Sequence, residues 1–237
     1  MKVTQSNQVY MLSFMPTFFP INCYFIEEEN SLTLIDAGMP FSKKSILKAA
    51  EDIGKPIQRI VLTHAHTDHV GALDGLKKAL PKAEVLLPER ELKILNGDLT
   101  LEEGEGESPI KGGAPKNIQT KPDTLLKDED RIGSLRAISA PGHTPGMMAF
   151  LDERSNSLIA GDALQTKGGV AVAGDMKWSF PFPALATWNK KVAIETAERL
   201  LDYTPSLLAV GHGNWIHNPE SEIRDAIIRA KQSLQGE

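Results

Sequence analysis

Arg59-Ile60-Val61-Leu62-Thr63-His64-Ala65-His66-Thr67-Asp68-His69-Val70 is the stretch whose reading decides the fold. Residues 59 to 62 read as a buried strand. From Val70 the chain reads as a helix that buries Leu73, Leu76 and Leu80 at i, i+3 and i+7, and Pro81 ends it. Between the two, three histidines and an aspartate fall within six residues. Imidazole and carboxylate packed this densely at a strand-to-helix turn point to a metal. His64 and His66 are two apart, so in extended chain they face the same way and can share one ion. Asp68 and His69 begin the helix, turn away, and can serve a second.

Working outward, residues 3 to 13 read as a strand, followed by a loop through Phe14-Met15-Pro16-Thr17-Phe18-Phe19-Pro20. Residues 21 to 26 and 31 to 35 continue a β-meander that ends at Asp36-Ala37-Gly38. Ser42 is placed to cap a helix running to Ile53, which Gly54 stops. A strand at 83 to 87 precedes the stretch 97 to 117. That stretch holds Glu102-Glu103-Gly104-Glu105-Gly106-Glu107, then Pro109, Gly112, Gly113 and Pro115, and reads as a long, mobile acidic insertion with the makings of a lid. Strands resume at 131 to 139, 147 to 151 and 158 to 160. A helix is expected over 184 to 201, a strand over 206 to 210, and a terminal amphipathic helix over 219 to 234. Strands and helices alternate, so the class is α/β. Leu34-Ile35-Asp36-Ala37-Gly38 and Leu158-Ile159-Ala160-Gly161-Asp162 both end an apolar strand in an aspartate beside glycine, which hints at two related halves.

Three more candidate ligands lie far along the chain. His143 sits in Ala140-Pro141-Gly142-His143-Thr144-Pro145-Gly146, His212 sits in Gly211-His212-Gly213, and Asp162 follows Gly161. All three are in strand-end loops, which put side chains in a cleft. Seven ligands (His64, His66, Asp68, His69, His143, Asp162, His212) are too many for one tetrahedral ion. They suit two ions about 3.5–4 Å apart that share a carboxylate and a solvent oxygen. Two dications outweigh two carboxylates and a bridging hydroxide, leaving positive charge to polarise a carbonyl or hold an anion. His217 matches nothing in this pattern and reads as a surface or core residue.

Composition narrows the functional classes. A chain of 237 residues with 41% hydrophobic and 24% charged residues suits one large domain, 1 to 237, with a sizeable core. A net charge of -5 gives no basic surface for nucleic acid. Apolar runs fall short of a membrane span, and the first eight residues have no apolar signal region. The single cysteine, Cys23, excludes an internal disulfide, reads as a buried strand residue, and fits a reducing compartment, so the cytoplasm is the expected location. The expected partner is a small-molecule substrate, with room for a homodimer.

With these motifs in order along nearly the whole chain, the sequence resembles the metallo-β-lactamase superfamily. The resemblance implies a four-layer αββα sandwich with the metals at one edge. It implies that His64, His66 and His143 hold the first ion, that Asp68, His69 and His212 hold the second, that Asp162 bridges, and that Asp36 orients a ligand from behind. The implied cofactor is two Zn2+ per chain, with Fe or Mn as alternatives. Asp162 separates the chain from true β-lactamases and fits the glyoxalase II, lactonase and ribonuclease Z type of site. Only about 25 residues follow His212, too few for the helical substrate domain of glyoxalase II, and the acidic insertion does not suit tRNA.

The leading expectation is a dinuclear zinc hydrolase of a small ester, thioester or lactone. A metal-bridging hydroxide would attack the carbonyl and Asp68 would pass a proton to the leaving group. Phe18 in the early loop and Trp178 in the Trp178, Phe180, Phe182 tract would line an apolar substrate pocket. The alternative is a mononuclear iron oxidoreductase of the persulfide dioxygenase type, which carries the same motif.

Overall fold

Asn7, at φ 50°, turns the chain after Lys2–Ser6 (β1) and returns it as Val9–Phe14 (β2), with Ser6 opposite Val9. The single strand expected over 3 to 13 is therefore a hairpin. Asparagine tolerates the left-handed conformation, so no glycine or proline marks the turn in the sequence. This is a computed structural model and it describes residues 1–236. The chain divides into two compact units, Met1–Asp98 with Gly113–Lys127, and Leu99–Gly112 with Asp128–Glu237.

In the first unit the meander continues through Ile21–Glu27 (β3) and Leu32–Ile35 (β4), both almost wholly buried. Lys43–Ile53 (α1) then crosses over to Ile57–Val61 (β5), which pairs parallel with β4. Gly54 ends α1 at φ 80°, with its N–H on the carbonyls of Ala50 and Glu51. Ser42 occupies the N-cap position, but its backbone is already helical after a 3-10 turn at Pro40–Ser42, and its side chain makes no capping bond.

The helix expected from Val70 is two helices, Thr67–Val70 (α2) and Leu73–Ala79 (α3). Val70 forms a parallel bridge to Gly38, which holds the backbone off the helical path before Ala72 at φ -93°, ψ 3°. Glu84–Pro88 (β6), a five-residue helix Glu91–Leu95 (α4) and Thr124–Leu126 (β7) complete the unit. The sequence did not suggest α4, because five residues are too few to establish a helical period. The sheet runs β1-β2-β3-β4-β5-β6-β7, antiparallel as far as β4 and parallel from there.

In the second unit, Arg131–Ile132 (β8) and Leu135–Ser139 (β9) are a hairpin about Gly133, at φ 61°, where the sequence suggested one strand. Met148–Asp152 (β10) and Ser157–Ile159 (β11) follow, turned by Asn156 at φ 52°. Leu164–Gln165 (β12) and Ala171–Val172 (β13) make a small ribbon that the glycine-rich composition concealed. Two helices replace the one expected over 184 to 201, Phe182–Leu185 (α5) and Lys190–Leu201 (α6). Asn189 separates them: its backbone is extended and its side chain caps α6 by accepting from the Val192 N–H. Leu207–Ala209 (β14), Ile216–His217 (β15) and Glu220–Gln235 (α7) close the chain.

This sheet runs β15-β14-β11-β10-β9-β8, and its one parallel pair is β11 with β14. Ala193, Ala197 and Leu200 of α6 and Ile223, Ala226 and Ile227 of α7 pack in one cluster with Ile138, Leu158 and Leu208 of the strands. That apolar backing fixes the strand ends from which the loops of this unit spring. Among the described residues, no helix is long and apolar enough to cross a membrane.

Candidate metal centre

In the first unit the parallel strands β4 and β5 end side by side, Ile35 opposite Val61, and the functional residues lie just beyond their carboxyl ends. Asp36 leaves β4 at φ 60° with 3% of its surface exposed. Its Oδ1 accepts from the Thr63 N–H at 2.8 Å and its Oδ2 from the Thr63 hydroxyl at 2.9 Å. The Thr63 hydroxyl has spent its proton on Asp36, so its contact with His64 Nδ1 at 3.0 Å is one in which the ring donates. His69 Nδ1 likewise donates to Asp36 Oδ2 at 2.8 Å. Both rings are thereby fixed with Nε2 as the lone-pair nitrogen, the form a metal needs.

The rings of His64 and His66 have centroids 4.8 Å apart, and those of His64 and His69 are 4.0 Å apart. His69 Nε2 lies 3.9 Å from Asp68 Oδ2. All three histidines are buried, while the Asp68 side chain keeps 22% of its surface exposed.

In the second unit, Asp162 lies three residues past Ile159 and His212 three residues past Ala209, and Ile159 and Ala209 are opposite each other in the parallel pair β11–β14. That register brings the two side chains together, with His212 Nε2 3.1 Å from Asp162 Oδ2. His143, from the loop between β9 and β10, places its Nε2 3.5 Å from the same oxygen. Its Nδ1 is 3.2 Å from Thr187 Oγ1, which donates to the Pro183 carbonyl at 2.7 Å and therefore accepts from the ring. One carboxylate oxygen is thus shared by two imidazoles, and His143 has its Nδ1 occupied in the way His64 and His69 do. Phe180, 1% exposed, packs its ring 5.4 Å from that of His212.

Each unit gathers a share of the candidates: His64, His66, Asp68 and His69 with Asp36 in the first, and His143, Asp162 and His212 in the second. The donor set, buried imidazoles held with Nε2 available beside carboxylates, fits a divalent metal. His217 stands apart in β15, exposed, with its ring 6.2 Å from Trp215. Phe18 and Trp178 are 88% and 89% exposed, whereas Phe14 and Phe180 of the same two tracts are core. Cys23 is fully buried, and burial first, then the Asp36 and Asp68 carboxylates, push its thiol up, so it stays protonated.

Sequence reasoning passed over Glu91, Thr63 and Thr187. Glu91, fully buried in α4, accepts the Ala65 N–H at 2.8 Å and so holds the backbone between His64 and His66. Its neighbours Glu89, Arg90 and Lys93 are charged, so nothing in the sequence set it apart. Thr187 had no signal, since it lies 44 residues from the histidine it orients.

Comparison with known proteins agrees with this geometry. The family model of the metallo-β-lactamase superfamily matches residues 16–212. The Bacillus subtilis protein YobT is 55% identical over 98% of this chain and all of its own length. The hydroxyacylglutathione hydrolase GloC of Haemophilus influenzae is 28% identical over 65% of this chain and 71% of its own. The crystal structure of TTHA1623 in a di-iron-bound form superposes with a TM-score of 0.63 at 27% identity, covering 89% of this chain and 96% of that one. The α/β fold is that of these proteins, and the chain belongs to the metallo-β-lactamase superfamily.

Proposed function

We propose that the chain is a dinuclear metallohydrolase acting on a small ester, thioester or lactone, with zinc as its metal. In this reading His64, His66 and His143 would hold one ion, Asp68, His69 and His212 would hold the other, and Asp162 would serve both. The observation that carries it is Asp162 Oδ2, which lies within 3.5 Å of His143 Nε2 and 3.1 Å of His212 Nε2. An oxygen placed to serve two imidazoles suits a carboxylate shared between two ions. The three rings whose Nδ1 is already occupied support it, as does the GloC relative, whose name specifies hydrolysis of an acylglutathione.

Bound ions would supply Lewis acidity and a water of lowered pKa. The chain's own residues do the rest. Asp36, Thr63 and Thr187 hold three rings in the tautomer that presents Nε2. Asp68, the one partly exposed carboxylate of the set, would carry the proton that the leaving group requires, and its exposure supports this. The exposed rings of Phe18 and Trp178 offer apolar surface to an acyl chain.

The test is elemental analysis of protein purified without chelator, together with a panel of esters, thioesters and lactones. About two zinc per chain with turnover of one class bears the reading out. About one iron with oxygen uptake on a persulfide replaces it with the oxidoreductase. Folded protein that takes up neither metal overturns the ligand assignment.

A further inference from the structure

The sequence predicts a mobile acidic insertion over residues 97 to 117. From 96 to 123 the chain forms neither helix nor strand, yet two of its carbonyls are held by residues beside the candidate ligands. The Ser108 carbonyl accepts from the indole Nε1–H of Trp188 at 2.8 Å. Trp188, 6% exposed, donates its backbone N–H to the His143 carbonyl at 2.9 Å. Its neighbours grip the same turn: Asn189 donates its N–H to the Gly142 carbonyl at 2.9 Å, and Thr187 accepts from the His143 ring. Three consecutive residues, 187 to 189, thus hold Gly142-His143 by three separate bonds, and the middle one also holds the insertion.

The insertion's other fixed point is Gly113. Its carbonyl accepts from the Thr67 N–H at 2.8 Å and from the Thr67 hydroxyl at 2.7 Å. Thr67 lies between His66 and Asp68 and is the first residue of α2.

We propose that residues 99–113 form a strap linked to metal occupancy, with Trp188 and Thr67 as the positioning residues that transmit the link. The inference rests on the proposed metal-binding role of His143, His66 and Asp68. An ion that fixes the His143 ring fixes residues 187 to 189, and through the indole it favours the seated Ser108. Ions that fix His66 on one side of Thr67 and Asp68 on the other order the Thr67 peptide that grips Gly113. From 99 to 113 the chain lacks the ladder bonds of regular structure, is largely exposed apart from Ile110, and carries Glu102, Glu103, Glu105 and Glu107 just ahead of the Ser108 anchor, so a small bias decides whether it is seated. Coupling of this kind is reciprocal: whatever metal adds to the seating of the strap, the seated strap adds to metal affinity.

Glutamyl endopeptidase reads the strap through its run of glutamates, and chelator competition reads the metal. In the parent protein, zinc is expected to slow cleavage between residues 102 and 107 by about tenfold. Trp188→Phe keeps the ring's bulk and the backbone N–H but removes the indole donor. It should still bind zinc and still gain thermal stability from it, yet be cleaved at the zinc-free rate. One of its two metal equivalents should weaken by about tenfold while the other holds, a split that general loosening of the fold would not give. Thr67→Val, which keeps its N–H and loses the hydroxyl, supplies a second arm should Trp188→Phe not fold: it should bind zinc yet lose part of the zinc-dependent protection, with both equivalents weakened because Thr67 adjoins a residue assigned to each ion. Equal cleavage of the parent with and without zinc overturns the inference, as does a Trp188→Phe protein with parental protection and parental affinity at both equivalents. A parent that takes up no metal overturns the functional reading as well, so failure of the strap alone is distinguishable.

Discussion

The contiguous cluster at His64–His69 and the dispersed set His143, Asp162 and His212 reach similar arrangements of side chains by different means. The first is built locally. One strand end, one turn and the first turn of α2 place four candidates, and two buried carboxylates hold them, Asp36 by taking Thr63 and His69 together and Glu91 by taking the Ala65 N–H. The second is built by packing. Asp162 and His212 meet only because β11 and β14 are in register, and His143 is held by residues 44 to 46 positions further on. A locally built half resists insertion and drift elsewhere in the chain, whereas a packed half depends on every close contact behind it.

The largest expected effect bears on the one oxygen both histidines of the packed half approach. Asp162→Ala should reduce metal content and bring turnover to background, measured by elemental analysis and by steady-state assay. Retained activity would break the shared-carboxylate assignment. Next in size is Asp36→Asn. Asn tolerates the positive φ at this position, so the backbone survives and the change isolates the charge-assisted bonds to His69 and Thr63. Metal affinity should fall by about 10–100-fold with the fold intact, measured by chelator competition and circular dichroism. If the loss were confined to fold stability, the local half would owe its geometry to something other than Asp36.

Gly142→Ala probes the packed half without altering a candidate ligand. Gly142 is at φ 137°, and an added Cβ would come within 2.6 Å of the Ala193 backbone nitrogen in α6. A helix backbone cannot step aside cheaply, so the cost should be about 1–3 kcal/mol, or roughly 3–10 °C in Tm. Because His143 is the next residue, one metal equivalent should weaken with it. A variant with unchanged Tm and unchanged metal binding would show that the His143 loop is less tightly defined than the packing implies. Gly213, at φ 117° beside His212, stands in the same relation to the Lys167 nitrogen, 2.6 Å from where its Cβ would be.

The same contrast explains what the sequence disclosed. His-x-His-x-Asp-His states its own spacing, and the strand before it and the leucines after it place it on a turn, so the four candidates of the local half were legible as a group, though Thr63 and Glu91, which hold them, were not. The distant candidates were legible as residue types in glycine-flanked loops, because Gly142 and Gly213 mark places where chain passes close to chain. What orients them was not. Thr187 and Trp188 are ordinary residues until α6 is packed, and Glu91 sits in a helix too short to show a period. The errors in the elements have a common cause as well. The hairpins at Asn7 and Gly133 and the break at Asn189 interrupt patterns that look continuous, since a turn of one or two residues shifts apolar alternation too little to be seen.

The smallest effect tests whether the local half is as self-contained as this comparison holds. Asp74, in the first turn of α3, accepts the Gln119 N–H, the Thr120 N–H and the Thr120 hydroxyl, the last at 2.6 Å, and so ties down the chain as it returns from the insertion. Burial raises its pKa, but the three bonds outweigh burial and hold it below the usual 3.8. A carboxylate with a depressed folded-state pKa lends its stability above the unfolded value and surrenders it as pH falls through the folded one. Asp74→Asn should therefore cost about 1 kcal/mol or less at neutral pH. In urea midpoints, the gap from the parent should narrow once pH drops below 3.8. Metal affinity at neutral pH should be unchanged, since Asp74 touches the returning chain and not the ligands. A loss of affinity comparable to that of Asp36→Asn would mean that the first four ligands also depend on packing from 45 residues away, and the distinction between a local half and a packed half would fail.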